Sequence, residues 1–238
     1  MKKLSLILLT VALFCVTDFV SAQKVTGYTI KSKFTAEGTT DANFLSQLPS
    51  EVTEMVLGNR SKQVMQIQEG VGIITLMNGD NKEYYQIYDI AGFGKGYVKM
   101  NEEKLKEHRD KAKYDFNYTG EKKTIANYEC EKVEVKVTDL ETDDEETMVV
   151  YVSKDLNPTD AMNFVTFPGL VGYVLRAETH TEYEGDNVTL IQEVYEVTPN
   201  KKIKSVDFLL PSDAVDIMES PQWKSMLGMS GDEEEEDD

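Results

Sequence analysis

The chain has 238 residues, with 25 Lys and Arg against 43 Asp and Glu, which gives a formal net charge of −18. Such an excess of negative charge is repelled by phosphate backbones and anionic head groups, and it argues against nucleic-acid binding. Two cysteines are encoded.

The first 22 residues have the pattern of a secretory signal peptide. Lys2 and Lys3 are followed by an apolar stretch over residues 4–16 and by small residues ending at Ala22. The stretch is too short for a membrane span, so we expect cleavage after Ala22 and export to the periplasm or outside the cell. The mature chain is then predicted to have no membrane span. Cys15 leaves with the signal, so Cys130 cannot form an internal disulfide.

The first half of the mature chain alternates between strand and helix patterns. Residues 23–34 alternate as a half-buried strand, and residues 41–57 show helical spacing interrupted by Pro49, which predicts two helical pieces, the second running from Pro49 to Gly58. Strands follow at residues 64–67, 72–77 and 82–90, with an Asn78-Gly79 hairpin turn between the last two. Residues 91–96 are predicted to form a loop, and residues 101–113 a charged surface helix.

The second half is rich in strand patterns. We predict strands at residues 114–118, 124–138, 147–154, 172–183 and 188–197. Residues 148–152 are apolar on both parities, so a helix should cover the sheet there. We also predict three short elements: a helix starting at residue 157, a strand at 208–210 and a weak helix at 218–229. A disordered acidic tail is predicted at 232–238.

This order of elements predicts an α+β fold with one curved antiparallel sheet and helices on one side. The domain layout is a signal peptide at 1–22, a single domain at 23–217, and a weak helix with the acidic tail at 218–238.

No residue pattern identifies a catalytic or metal site. His108 and His180 have no nucleophile partner at a recognisable spacing. Cys130 has acidic neighbours that would raise a thiol pKa, which favours an inert packed cysteine. The acidic run at 139–146 lacks the glycine of a calcium loop, so a solvated hairpin turn is favoured. We therefore predict a non-enzymatic protein with no catalytic residue, metal or cofactor.

Three segments of the second half resemble a known group of exported bacterial proteins. Residues 124–132 read T-I-A-N-Y-E-C-E-K, similar to the T-I-x-G-Y-x-C-x-K strand pair of the domain of unknown function 4412 and the related GLPGLI family. Residues 167–175 read F-P-G-L-V-G-Y-V-L, similar to the segment that names the latter family, and residues 206–213 resemble its closing element. Asn127 and Phe167 depart from the family pattern, which has Gly and Leu there.

The resemblance implies the lipoprotein-localisation-factor (LolA-like) fold, an unclosed antiparallel half-barrel with helices packed in its concave side. Related folds bind acyl chains in that concavity, so a lipid or other hydrophobic ligand is expected by analogy at the level of the fold. The predicted groove residues are the apolar side chains of the predicted helices: Phe44, Leu48, Val52, Met55, Met162 and Phe164. The alternative is a structural or protein-interaction module of a cell-envelope assembly, with an envelope protein partner and no small-molecule ligand.

Overall fold

A computed structural model describes residues 27–157 and 159–229 of the chain. The strands are β1 (Tyr28–Glu37), β2 (Val52–Leu57), β3 (Arg60–Gln68), β4 (Val71–Asn78), β5 (Glu83–Ile90), β6 (Gly94–Met100), β7 (Ala112–Ile125), β8 (Tyr128–Asp139), β9 (Glu145–Ser153), β10 (Tyr173–Tyr183), β11 (Asp186–Pro199) and β12 (Ala214–Asp216). The α-helices are α1 (Ala42–Gln47), α2 (Glu102–Asp110) and α3 (Pro221–Met226), and Ser205–Phe208 and Ile217–Glu219 form single 3₁₀ turns.

All twelve strands belong to one sheet, in the order β12-β6-β5-β4-β3-β2-β1-β11-β10-β9-β8-β7. Neighbouring strands are antiparallel, except for the parallel pair of β12 and β6. Within the described residues β7 and β12 have one neighbour each, so the sheet is unclosed. The predicted unclosed antiparallel sheet is therefore confirmed.

The sheet is strongly curved. Glu54 in β2 and Tyr173 in β10 are separated by two intervening strands, which in a flat sheet would place them roughly 14 Å apart. Their side chains are nevertheless joined by a hydrogen bond. Met77 in β4 and Tyr114 in β7 are eight strand positions apart, yet both line one cavity. Because side chains from distant strands meet, the sheet must bend around a concave face.

The segment between β9 and β10, residues 154–172, packs against this concave face. Its Phe167 and Leu170 lie against the buried valines Val150 and Val152 of β9. Residues 148–152 are thus covered as the sequence predicts, although the cover is a series of turns and not a helix. Asn163 fixes the segment, since its Nδ2 donates to two of the segment's own carbonyl oxygens at 2.7 Å each.

The α+β assignment was too rich in helix, because the molecule is mostly β with only short helices. The predicted helical piece from Pro49 to Gly58 is wrong, since residues 52–57 form β2. The predicted helix after residue 157 is wrong as well, because the described residues there form turns. The concave side of the sheet is accordingly covered by an irregular segment.

Other elements differ in detail from the predictions. The loop predicted at 91–96 is wrong for residues 94–96, which belong to β6, and the predicted strand at 208–210 does not form. The long strand predicted at 124–138 is broken by a turn at Ala126 and Asn127, both with positive φ. The helix predicted at 101–113 is confirmed as the shorter α2, whose Leu105 is 1% exposed. The predicted signal peptide at 1–22 and the predicted disordered tail at 232–238 lie outside the described residues.

Candidate functional site

A cavity of about 460 Å³ lies between the concave face of the sheet and the segment at 154–172. Much of its wall is apolar, contributed by side chains of six strands and of the covering segment. These apolar residues include Ile30, Met77, Met148, Met162, Phe167 and Leu175. Its volume falls in the range of roughly 300–1,000 Å³ that is typical of small-molecule sites.

One ionisable pair stands out on this wall. The Tyr173 hydroxyl donates a hydrogen bond to Glu54 Oε2, and both residues line the cavity. Burial raises the pKa of the Glu54 carboxyl above its usual value, while the hydrogen bond from Tyr173 opposes that rise. Burial and the neighbouring carboxyl together raise the pKa of Tyr173 well above its usual value. Glu54 keeps some accessible surface because its side chain borders the cavity.

The position of Glu54 follows from strand alternation. Val52 and Val56, two residues to either side, are buried on the same face of β2. Ile30 and Ser32 on β1 are the partners of Glu54 and Val52 in the register. Ser61 on β3 is fully buried, and its hydroxyl lies close enough to Glu54 to favour the ionised carboxyl and lower its pKa, although the two groups do not form a hydrogen bond of ordinary geometry.

Neutral polar groups complete the wall. Asn163 lines the cavity, and its amide group donates hydrogen bonds to the carbonyl oxygens of Leu170 and Gly172. Gln192 Nε2 donates to Ser32 Oγ at 3.1 Å. In these bonds Asn163 and Gln192 act as donors, so their amide oxygens are not used.

One arginine of the described residues lies on the cavity wall, and it is already paired. Arg176 Nε lies 2.6 Å from Glu178 Oε1, and its Nη1 is bonded to Glu193 Oε2. Lys123 Nζ reaches the same Glu193 carboxylate at 3.5 Å. Because two carboxylates neutralise Arg176, the guanidinium adds little net positive charge to the cavity.

Among the six residues predicted to line a groove, Met162 lines the cavity. Val52 is buried in β2 at 2% exposure, and Met55, which points to the other face of that strand, is partly buried. Leu48 is the C-cap residue of α1.

The two predicted phenylalanines contact side chains outside the cavity wall. The Phe44 ring in α1 packs 4.5 Å from the ring of Tyr183, and the ammonium group of Lys82 lies 5.2 Å from the ring of Phe164. The structure therefore does not bring the six residues together. Which residues bind a ligand stays a prediction.

Sequence reasoning missed Glu54, Tyr173 and Asn163. A signal for Glu54 was present, because it is the one charged residue between Val52 and Val56 at strand spacing. Reading residues 52–57 as a helix hid that signal. The partnership with Tyr173 depends on the curvature of the sheet, which no local pattern encodes.

Other candidate groups are placed as follows. His180 Nδ1 lies 2.9 Å from Thr189 Oγ1 on an exposed strand surface. Cys130 is buried, and burial raises the pKa of its thiol to about 11. The acidic run at 139–146 includes the turn between β8 and β9, where Asp139 Oδ1 accepts hydrogen bonds from two backbone N–H groups. Among residues 27–157 and 159–229, no cluster of three His, Cys, Asp or Glu residues could hold a metal ion.

The longest α-helix that the structure describes has nine residues. No helix in that part of the chain is long and apolar enough to cross a membrane.

Comparison with solved structures shows the same architecture inside a longer chain. Two crystal forms of PNGF-II match with a TM-score of 0.52 each, at 15% and 14% sequence identity. Each match covers 85% of this chain and 33% of PNGF-II, so this chain spans about a third of that protein's length. A weaker match to the crystal structure of MucB has a TM-score of 0.29 at 9% identity, covering 81% of this chain and 60% of MucB. At these identities the PNGF-II matches show the fold alone.

No family model matches the sequence, and no curated protein sequence matches it. The resemblance to the domain of unknown function 4412 and the GLPGLI family therefore stays a prediction.

Proposed function

We propose that this chain is a non-enzymatic, exported cell-envelope protein that holds a hydrophobic ligand inside its curved sheet. The observation that carries the proposal is the cavity of about 460 Å³ between the sheet and the segment at 154–172. Export is supported by the signal-like pattern of residues 1–22.

The cavity suits a ligand with a long apolar part. Its wall combines aliphatic, methionine and aromatic side chains, and methionines such as Met77, Met148 and Met162 adapt readily to differently shaped chains. Each methylene group moved from water into such a wall contributes about 0.8 kcal/mol. Burying about ten methylenes therefore gives roughly 8 kcal/mol, before the entropic cost of association is subtracted.

A direct test fills the cavity and measures binding of a neutral fluorescent probe, N-phenyl-1-naphthylamine. Gln63 lines the cavity from β3, so Gln63→Trp places a large side chain in the space that a ligand would use. The matched control is Val64→Trp, because Val64 is the next residue on the same strand and is 39% exposed. We expect Gln63→Trp to weaken probe binding by about tenfold or more, and Val64→Trp to leave it unchanged.

Two outcomes would contradict a ligand-binding role. One is a wild-type protein that does not bind the probe. The other is equal binding by wild type and a folded Gln63→Trp variant, which would place the probe elsewhere on the surface. Native mass spectrometry of protein purified from its host then identifies the natural cargo by its mass.

A second candidate is an interaction module, and the edge strand β7 favours it. This strand has 14 residues, and within the described chain it pairs with β8 alone. An exposed edge of this length offers backbone hydrogen-bonding groups to a strand of a partner protein. An empty cavity together with a reproducible protein partner, in the same mass-spectrometric experiment, would favour this role over ligand carriage.

A further inference from the structure

Two polar groups of the cavity wall offer hydrogen-bond acceptors to a ligand. Glu54 contributes a carboxyl whose Oε2 takes one hydrogen bond, from Tyr173. Asn163 has used both amide protons, and within the described residues its Oδ1 accepts no hydrogen bond. A ligand with protons to donate would therefore find free acceptors on this wall.

Three donor groups of the cavity wall are already engaged, and the other side chains there that can donate, those of Gln63, Tyr114, Thr166 and Thr179, are neutral. The Tyr173 hydroxyl proton is directed at Glu54, and one Gln192 amide proton is directed at Ser32. The guanidinium of Arg176 is held by two carboxylates. An anionic head group would meet a carboxyl at Glu54 and little uncompensated positive charge.

From this arrangement we propose that the cavity selects an amphiphile with a cationic primary-amine head group, and that Glu54 is the residue that binds the amine. This inference rests on the proposed ligand-binding function and names the chemistry of its ligand. An ammonium group donates three hydrogen bonds and forms a charge-assisted pair with a carboxylate, which is strong where water is scarce. The same pairing compensates the carboxyl for its loss of hydration.

The acidity of the chain as a whole also attracts amines, so the test must separate Glu54 from general surface charge. The structure offers a matched control in a second Tyr–Glu pair. The hydroxyl of the exposed Tyr195 donates a hydrogen bond to Glu51, on the solvent-exposed surface. Glu51→Gln and Glu54→Gln change the net charge by the same amount, but of these two residues only Glu54 lies on the cavity wall, where the other carboxylate, that of Glu146, is exposed.

The experiment is competition against N-phenyl-1-naphthylamine by hexadecylamine, hexadecanol and palmitic acid, at 150 mM salt. We expect hexadecylamine to bind wild type at least about tenfold more tightly than palmitic acid, with hexadecanol between them. Glu54→Gln should reduce the amine preference to less than about threefold, and Glu51→Gln should keep it. If Glu54→Gln folds poorly, the double variant Glu54→Met/Tyr173→Phe replaces both partners by apolar groups, a change that is often nearly neutral for stability.

The results separate this inference from the proposed function. If wild type binds palmitic acid as tightly as the amine, or if the amine preference survives in Glu54→Gln, the head-group assignment is wrong while ligand binding stands. The same holds if Glu51→Gln abolishes the preference. If neither the fluorescent probe nor any of the three competitors binds, both proposals fall.

Discussion

The contact between Gly96 and Trp223 predicts that Gly96→Ala destabilises the protein, whereas Gly→Ala within a strand ordinarily stabilises. Gly96 in β6 lies directly under the indole of Trp223 in α3. A methyl group at position 96 would lie 2.5 Å from Cδ2 and 2.6 Å from Cε2 of that ring. The indole is 3% exposed, and its centroid is 4.7 Å from that of the Phe93 ring, so it has little room to move.

The size of the effect follows from two opposing terms. Forcing extra volume into a packed contact typically costs about 1–3 kcal/mol. Replacing Gly by Ala within a strand gains about 0.5–1 kcal/mol, because the unfolded chain loses freedom. Gly96→Ala should therefore destabilise the protein by about 1–2 kcal/mol. When Trp223→Ala has removed the ring, at its own cost of about 3–5 kcal/mol, the same change at Gly96 should become neutral or stabilising.

Urea denaturation of wild type, both single variants and the double variant measures this reversal as a coupling free energy. Gly72→Ala is the matched control, because Gly72 lies within β4 and a Cβ there would meet its nearest neighbour at 3.7 Å. The reasoning is refuted if Gly96→Ala matches the stability of wild type. It is equally refuted if the cost is unchanged in the Trp223→Ala background.

Three further predictions concern ionisable groups. The raised pKa of Glu54 means that the folded state holds this proton more tightly than the unfolded state, so the associated stability is present at low pH and is lost as pH rises through the folded pKa. Urea titrations should therefore show wild type losing stability relative to Glu54→Gln as pH rises from 4 to 7, and a constant difference would contradict this cause. Cys130, with its pKa raised to about 11 by burial, should react with Ellman's reagent at pH 8 far more slowly in native protein than in guanidinium; equal rates would show that the thiol is accessible. Arg176→Met should lower the free energy of unfolding by about 1–2 kcal/mol in urea denaturation, because it removes the cationic partner of Glu178 and leaves Glu193 with Lys123, both carboxylates being partly exposed. An unchanged midpoint would show that the pairs contribute nothing.

The strands of the second half could be predicted because their two faces differ in chemistry. On β8, Val133 and Val135 are fully buried, and the residues that alternate with them, Lys132, Glu134 and Lys136, lie on the other face. A one-residue shift of such a strand would turn every valine to the solvent, so its pattern specifies both the element and its register. The hairpin between β4 and β5 was also predictable, but its form was not: Asn78 is the last residue of β4, the turn spans residues 79–82, and the positive φ falls on Lys82 and not on Gly79.

The prediction failed where the local pattern is ambiguous. In residues 52–57, Val52, Val56 and the neighbouring apolar residues fit a helix as well as a strand, and Glu54 interrupts the apolar alternation that would have identified β2. The strand β6 contains Gly94 and Gly96, which have low strand propensity on their own. Gly96 is required there by the tertiary contact with Trp223, which a local window does not contain.

The candidate site was less predictable than the sheet, because its residues come from strands that are far apart in the sheet and meet only since the sheet is curved. The covering segment has no regular structure that a periodicity could reveal. Its conformation depends on hydrogen bonds from Asn163 to Leu170 and Gly172, seven and nine residues further along the chain. Most of the apolar residues around it fill the core, and sequence alone does not tell a residue of the core from a residue of the cavity wall.

Glu54 places a carboxyl on a face of β2 whose neighbouring positions, Val52 and Val56, are apolar and buried. An apolar residue at this inward position would continue the buried face of Val52 and Val56 without the desolvation cost that raises the carboxyl's pKa. The hydroxyls of Tyr173 and Ser61 offset only part of that cost, because the pKa of the carboxyl is still raised by burial. Exceptions of this kind are expected at functional positions, where stability is given up for another property. Stability alone therefore does not account for an acidic side chain at position 54, whereas the amine ligand that we propose would.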